Sequence, residues 1–136
     1  MESRQLLRCD KCENEFVLGA DDIMVCPVEC EGEQLQLTFF VCPKCYHIYR
    51  IALDDEEQIG LRSEIDSLFQ RRRKLQEKLA TAPTLVGRRI ALGLFDTLVR
   101  KSERFKSRAN WLDGQYPGAF EFAALTNGKP TIVYRP

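Results

Sequence analysis

The sequence predicts an α+β fold, on three observations. Two CxxC hooks, Cys9-Asp10-Lys11-Cys12 and Cys42-Pro43-Lys44-Cys45, stand among short runs with strand patterning. An apolar repeat with a period near 3.5 residues follows them. Close to the C-terminus, Asn127-Gly128 separates two aromatic and β-branched runs, the pattern of a two-residue hairpin turn. The expected order is a ribbon of antiparallel strands over residues 1–53, a long antiparallel helical hairpin over 54–110, and a short β-hairpin tail over 111–136.

The hooks define the first segment. Two CxxC turns bring four thiolates within reach of one ion, and the chemistry of that donor set points to a tetrahedral Zn²⁺ site made by Cys9, Cys12, Cys42 and Cys45. Four thiolates on Zn²⁺ carry a net charge of about −2, which needs compensation. Lys11 and Lys44 each precede the second cysteine of a hook and can supply some. Around the hooks, Glu15 to Leu18 reads as a strand ended by Gly19. Ile23 to Val28 reads as another, with Pro27 marking an edge or a bulge. Glu31-Gly32-Glu33 reads as a turn. Leu35, Leu37 and Phe39 alternate with polar residues into the second hook. Tyr46 to Leu53 continues as strand, with Tyr46, Ile48 and Ile51 as its apolar positions. A ribbon of this size buries little apolar surface, so the ion is expected to supply much of its stability.

Cys26, Cys30 and His47 leave alternatives open. The two cysteines are either small buried thiols or a pair capable of ligand exchange or redox chemistry. His47 is either a strand histidine or a substitute ligand. Four thiolates close the coordination sphere and leave no position for water. With one histidine and no HExxH, P-loop, GxGxxG or Ser-His-Asp pattern, no catalytic residues are assigned and the chain is not expected to be an enzyme.

In the second segment, Asp54 is placed to cap a helix, with Glu57 three residues on. Leu61, Ile65, Leu68, Arg72, Leu75 and Leu79 form one seam, with Arg72 in a core slot. Thr81-Ala82-Pro83-Thr84 breaks the helix. A second helix runs from about Arg88 to Arg108, with Ile90, Leu94, Leu98, Phe105 and Leu112 on one face. Gly93 either weakens it or permits close helix approach. In the tail, Trp111 to Gly114 reads as a helix exit and Tyr116-Pro117-Gly118 as a turn. Phe120 to Ala123 and Thr131 to Tyr134 are the hairpin strands. Pro130 is expected to shorten them, and their aromatics to pack on the helices.

The 136 residues allow one domain or two small ones, and 44% hydrophobic residues suffice for a core. No apolar run reaches the ~20 residues that span a bilayer, and the N-terminus lacks a secretory apolar stretch. A cytoplasmic location is expected, where six cysteines stay reduced or metal-bound. Net charge is zero but unevenly spread. Residues 1–60 hold 5 Lys/Arg and 13 Asp/Glu, residues 61–110 hold 13 and 5, and residues 111–136 hold two of each. Such asymmetry suits a charged partner, attraction between the two halves, or two solvated faces. The basic helices are dense enough to neutralise several phosphates, so nucleic acid is one candidate partner. The apolar seams also allow a homodimer.

The stretches LRCDKCENEFVL and FFVCPKCYHIYRI, followed by an acidic helix start and a heptad helix, resemble small zinc-ribbon proteins of phages and mobile elements of Gram-positive bacteria. The resemblance covers about residues 5–80. Glu13 and Tyr46 stand where many ribbons carry glycine. Some proteins of this look are anti-CRISPR proteins, so the resemblance implies a phage-encoded inhibitor that binds a nucleic-acid enzyme such as the Cas9 nuclease, in the cytoplasm of the bacterial host. Acidic side chains, among them Asp21, Asp22, Glu29, Glu31 and Glu33, would meet surfaces built for phosphate.

Overall fold

The computed structural model describes residues 4–126 and 129–136. The chain divides into two compact units, Met1–Asp55 with Leu112–Pro136, and Glu56–Trp111. The fold is α+β, with antiparallel N-terminal strands, a two-helix hairpin and a C-terminal strand pair.

In the strand unit, β1 (Gln5–Arg8) pairs with β2 (Glu15–Leu18). A 3₁₀ turn over Ala20–Asp22 leads to β3 (Met24–Cys30). Strands β3, β4 (Glu33–Val41) and β5 (Ile48–Asp54) form one antiparallel sheet in that order, with Pro27 on its β3 edge. Glu31 and Gly32 link β3 to β4, both at positive φ (52° and 88°), the backbone that a two-residue hairpin turn requires. Alternation sends Leu35, Leu37 and Phe39 inward, where all three are buried. A bulge in β5 interrupts this pairing. Thr38 faces Ala52 and Phe39 faces Arg50, so Ile51 is skipped and left exposed. Ile51 is therefore not a core residue. Leu53, beyond the bulge, is.

The C-terminal strands β6 (Ala119–Thr126) and β7 (Lys129–Arg135) are longer than expected, and Pro130 is accommodated opposite Leu125. The Asn127-Gly128 turn lies outside the described residues. Residues 112–136 do not stand apart as a tail. Leu112, Tyr116, Phe120 and Ile132 share one core with Val28, Cys30, Leu37, Phe39 and Leu53. The hairpin aromatics accordingly meet the strand unit: Phe122 lies edge-on to Phe39 at 6.4 Å, and Tyr134 contacts Tyr116 and Phe120. Each large apolar side chain buried there contributes roughly 1.5–3 kcal/mol. Arg50 ties the same region together, donating to the Tyr116 carbonyl at 2.5 Å and to Asp113 at 2.8 Å.

The helical unit is a hairpin of α1 (Glu56–Thr81) and α2 (Leu85–Gln115), whose last residues run on into the strand unit. α1 begins after Asp55, because Asp54 is the final residue of β5 and pairs with Gln36. Asp55, not Asp54, holds the cap position. The α1 seam lies as its repeat predicts: Leu61 and Leu68 are buried, and Ile65, Arg72, Leu75 and Leu79 are half-buried. Arg72 sits in the seam with its guanidinium 4.8 Å above the Phe95 ring.

α2 starts three residues earlier than expected. Thr84 Oγ1 accepts from the Gly87 N–H at 3.0 Å and caps it. Its inward face is Gly87, Ala91, Leu94, Leu98 and Phe105. Ile90 falls off that face and is exposed. The glycine at the close approach is Gly87, where an added Cβ would lie 2.7 Å from Leu79. Around Gly93 there is open space. The hairpin is also held by Lys101–Glu64 and Arg104–Glu57 ion pairs, and by Gln58 donating to the Phe105 carbonyl. No described helix is long and apolar enough to cross a membrane.

Candidate metal centre

The two hooks fold as one turn made twice. In the first, the Glu13 N–H donates to the Cys9 carbonyl at 2.9 Å and the Cys9 N–H donates to the Asn14 carbonyl at 2.9 Å. In the second, Tyr46 donates to Cys42 at 2.9 Å and Cys42 to His47 at 3.1 Å. Glu13 and Tyr46, the residues after each hook, both adopt left-handed backbone at φ 63° and 60°. This is the conformation that glycine supplies in many ribbons. Side-chain-bearing residues pay roughly 1–2 kcal/mol for it, so something must hold the turns in place.

Each turn aims backbone dipoles at sulfur. The N–H groups of Lys11 and Cys12 approach the Cys9 sulfur, and those of Lys44 and Cys45 approach Cys42. The strand pairs β1–β2 and β4–β5 then bring the turns together. All four sulfurs lie within 4.8 Å of one another. Across the hooks, Cys9 Sγ is 3.6 Å from Cys45 Sγ, and Cys12 Sγ is 3.5 Å from Cys42 Sγ. A tetrahedral ion with sulfur bonds of ~2.3 Å separates its ligands by about 3.8 Å. A disulfide needs ~2.05 Å. The spacing thus fits four ligands around an ion, and all six cysteines are free. Cys9 and Cys42 are buried, Cys12 is half-buried and Cys45 is exposed.

A residue that sequence reasoning missed completes the site. The Tyr49 hydroxyl, from β5, lies 3.1 Å from Cys9 Sγ, within donating reach. The same oxygen accepts from the Asp10 N–H at 3.1 Å and also faces the Asp10 carboxylate, so its single proton goes either to that carboxylate or to Cys9 Sγ. The ring is fixed by stacking on Phe40 at 5.1 Å, with His47 edge-on at 4.7 Å. Forty residues separate Tyr49 from Cys9, so no local spacing could reveal the pair. The only hint was a tyrosine four residues past a hook.

These contacts act on protonation. Desolvation opposes ionisation of Cys9, yet the Tyr49 hydroxyl and the hook N–H groups outweigh it and bring its pKa down to about 6. Cys42 moves down as well, its hook N–H groups again overcoming desolvation. At Cys45 the His47 N–H favours the thiolate. Desolvation and the hydrogen bonds with the neighbouring sulfurs prevail, and its pKa rises to about 12. Without a cation, four sulfurs this close cannot all ionise. A bound ion removes that conflict. Hydrogen bonding by Tyr49 also lowers the Asp10 pKa.

Lys11 and Lys44 are exposed at the hooks. Most of the compensation near sulfur comes from N–H groups and Tyr49. Cys26 and Cys30 lie on one face of β3, outside the cluster. Burial raises both thiols, Cys30 to about 11, which disfavours their thiolate forms. His47 packs on Tyr49 and is not part of the metal cluster found among the described residues.

Comparison with protein-family models, with curated proteins and with solved structures finds no match to this chain.

Proposed function

We propose that the chain is a non-catalytic binding module whose strand unit is held together by a structural Zn²⁺ on Cys9, Cys12, Cys42 and Cys45. The observation that carries this reading is the closure of the site. Four sulfurs within 4.8 Å of one another occupy every tetrahedral position. Four thiolates suit Zn²⁺. When bound, the ion would offset about two of the four thiolate charges and hold the two left-handed turns. It has no open position for substrate. The remaining thiols, Cys26 and Cys30, have burial-raised pKa values, opposite to what a nucleophile needs.

The partner is a protein with a basic, phosphate-binding surface. The strand unit carries 13 Asp/Glu against 7 Lys/Arg. Glu29, Glu31 and Glu33 are exposed around the β3–β4 turn, and Asp21 and Asp22 are exposed on the 3₁₀ turn. Such charge speeds encounter and orients docking. Cas9, named by the resemblance of the hook segments, is the first partner to test. Zinc-loaded protein is titrated onto Cas9 with and without guide RNA. Submicromolar binding weakened at least tenfold by Glu29→Lys with Glu31→Lys supports this reading. No complex in either state rules Cas9 out.

A second reading rests on the helical unit, which has 13 Lys/Arg against 7 Asp/Glu. Arg71, Arg73, Lys74, Lys78, Arg88 and Arg89 flank its turn and are exposed. That cluster suits phosphate contacts, and it predicts nucleic-acid affinity that falls steeply with salt. Absence of a gel shift at low salt rules it out.

A further inference from the structure

Strand β3 ends its sheet. The order β3-β4-β5 gives it a strand partner on one side, and β7 belongs to a separate strand pair. The two-residue turn at Glu31-Gly32 makes Cys30 and Glu33 a hydrogen-bonded pair. Alternation from that pair directs the backbone groups of Met24, Cys26 and Val28 to β4, and points those of Val25, Pro27 and Glu29 away from the sheet. Pro27 agrees with this parity, since it has no N–H to give to β4. The outer edge therefore presents the N–H groups of Val25 and Glu29 and the carbonyls of Val25, Pro27 and Glu29. All three residues are exposed. Beside this edge, within the strand unit, runs an open groove of about 1100 Å³. Its inner side is apolar: half-buried Met24 and Cys26, with Phe39 beneath and Ile132 and Tyr134 on the facing strand. Its rim is acidic. Glu29 and Glu31 line it, and among the described residues none of its lining side chains is basic.

We propose that this edge takes an extended segment of a partner protein as an added strand, in which lysine or arginine alternates with branched apolar residues. The proposal rests on the docking role given above to Glu29 and Glu31, and it specifies the form of that contact. The backbone selects an extended chain, because a strand meets donors and acceptors presented at every second residue. In antiparallel pairing, the residues bonded to Val25, Pro27 and Glu29 share their face of the sheet. A cation opposite Glu29 then forms a cross-strand charge pair. The intervening residues fall on the other face, beside Met24 and Cys26, where the groove takes apolar side chains. A second copy's β3 is a poorer occupant. Its fullest overlap sets Pro27 against Pro27, where neither supplies an N–H, and it places Val25 instead of a cation opposite Glu29.

The probe is a blocked peptide of seven residues, the length of β3, alternating lysine and valine. It is titrated into the full zinc-loaded chain and followed by NMR. Binding is expected to slow hydrogen exchange at the Val25 and Glu29 amides about tenfold or more. N-methylation of the peptide's lysines, whose N–H groups meet β3, is expected to weaken binding about tenfold or more, whereas N-methylation of its valines, whose N–H groups point away, leaves it within about threefold. Glutamate in place of the peptide's lysines, or Glu29→Lys with Glu31→Lys in the protein, is expected to weaken binding about tenfold or more. No binding at about 1 mM peptide overturns the proposal. So does binding that both methylations weaken equally, or that leaves the two amides unprotected. A partner protein released by Glu29→Lys with Glu31→Lys, whose complex nonetheless leaves those amides unprotected, keeps the docking reading and overturns strand addition.

Discussion

Tyr49 joins the two halves of the sulfur cluster. It leaves β5 beside the second hook and places its hydroxyl on the sulfur of the first. Outer hydrogen bonds of this kind typically hold 10- to 100-fold in metal affinity. Tyr49→Phe keeps the ring stacked on Phe40 and removes the donor. The expected result is a metal affinity lower by that factor in chelator competition, with little change in fold. An unchanged affinity would leave Tyr49 with a packing role only. Gly118 acts through space instead of charge. Its N–H donates to the Tyr134 hydroxyl at 2.9 Å, and an added Cβ would lie 2.1 Å from the Arg135 carbonyl oxygen. Gly118→Ala is expected to cost about 1–3 kcal/mol in urea unfolding, as overpacking against backbone does.

At the scale of elements, Thr84 caps α2 at the α1–α2 turn. Thr84→Ala removes the bond to the Gly87 N–H and is expected to cost about 1 kcal/mol of thermal stability, while Thr84→Ser retains it. The Glu64–Lys101 pair adds a pH dependence. Lys101 holds the Glu64 carboxyl below its ordinary value. Support from the pair is therefore complete above the unfolded carboxyl range near pH 4.3 and fades as pH falls through the folded value. The melting profile of Glu64→Gln is expected to be flatter than that of the parent between pH 5 and pH 3. Periodicity made much of this level legible in the sequence. The Leu61–Leu79 seam and the inward Leu35, Leu37 and Phe39 follow from repeats of 3.5 and 2 alone. What periodicity missed has physical causes. A bulge shifts parity at Ile51, Thr84 starts α2 before its first periodic residue, and Gly87 replaces Gly93 at the close approach because contact there depends on α1. The pairing of Cys9 with Tyr49 is long-range, and CxxC spacing carries no trace of it.

In the whole molecule, the strand unit contains the sulfur cluster and a shared core that reaches from Val28 to Ile132, whereas the helical unit has its own seam. Sequence spacing identified the four cysteines, but gave residues 111–136 to a separate tail because sequence distance hides their return to Leu37 and Phe39. An ion at the cluster would join β1–β2 to β4–β5. Cys42→Ser is then expected to abolish tight metal binding and collapse the dispersion of strand amides in NMR spectra, while Cys26→Ser leaves metal content intact. The most direct measurement is elemental analysis of the purified native chain with thiol counting before and after a strong chelator. One tightly held zinc per chain is predicted, with four thiols released to the reagent as the metal leaves. A chain free of bound metal, with its strand amides fully dispersed, would contradict the account.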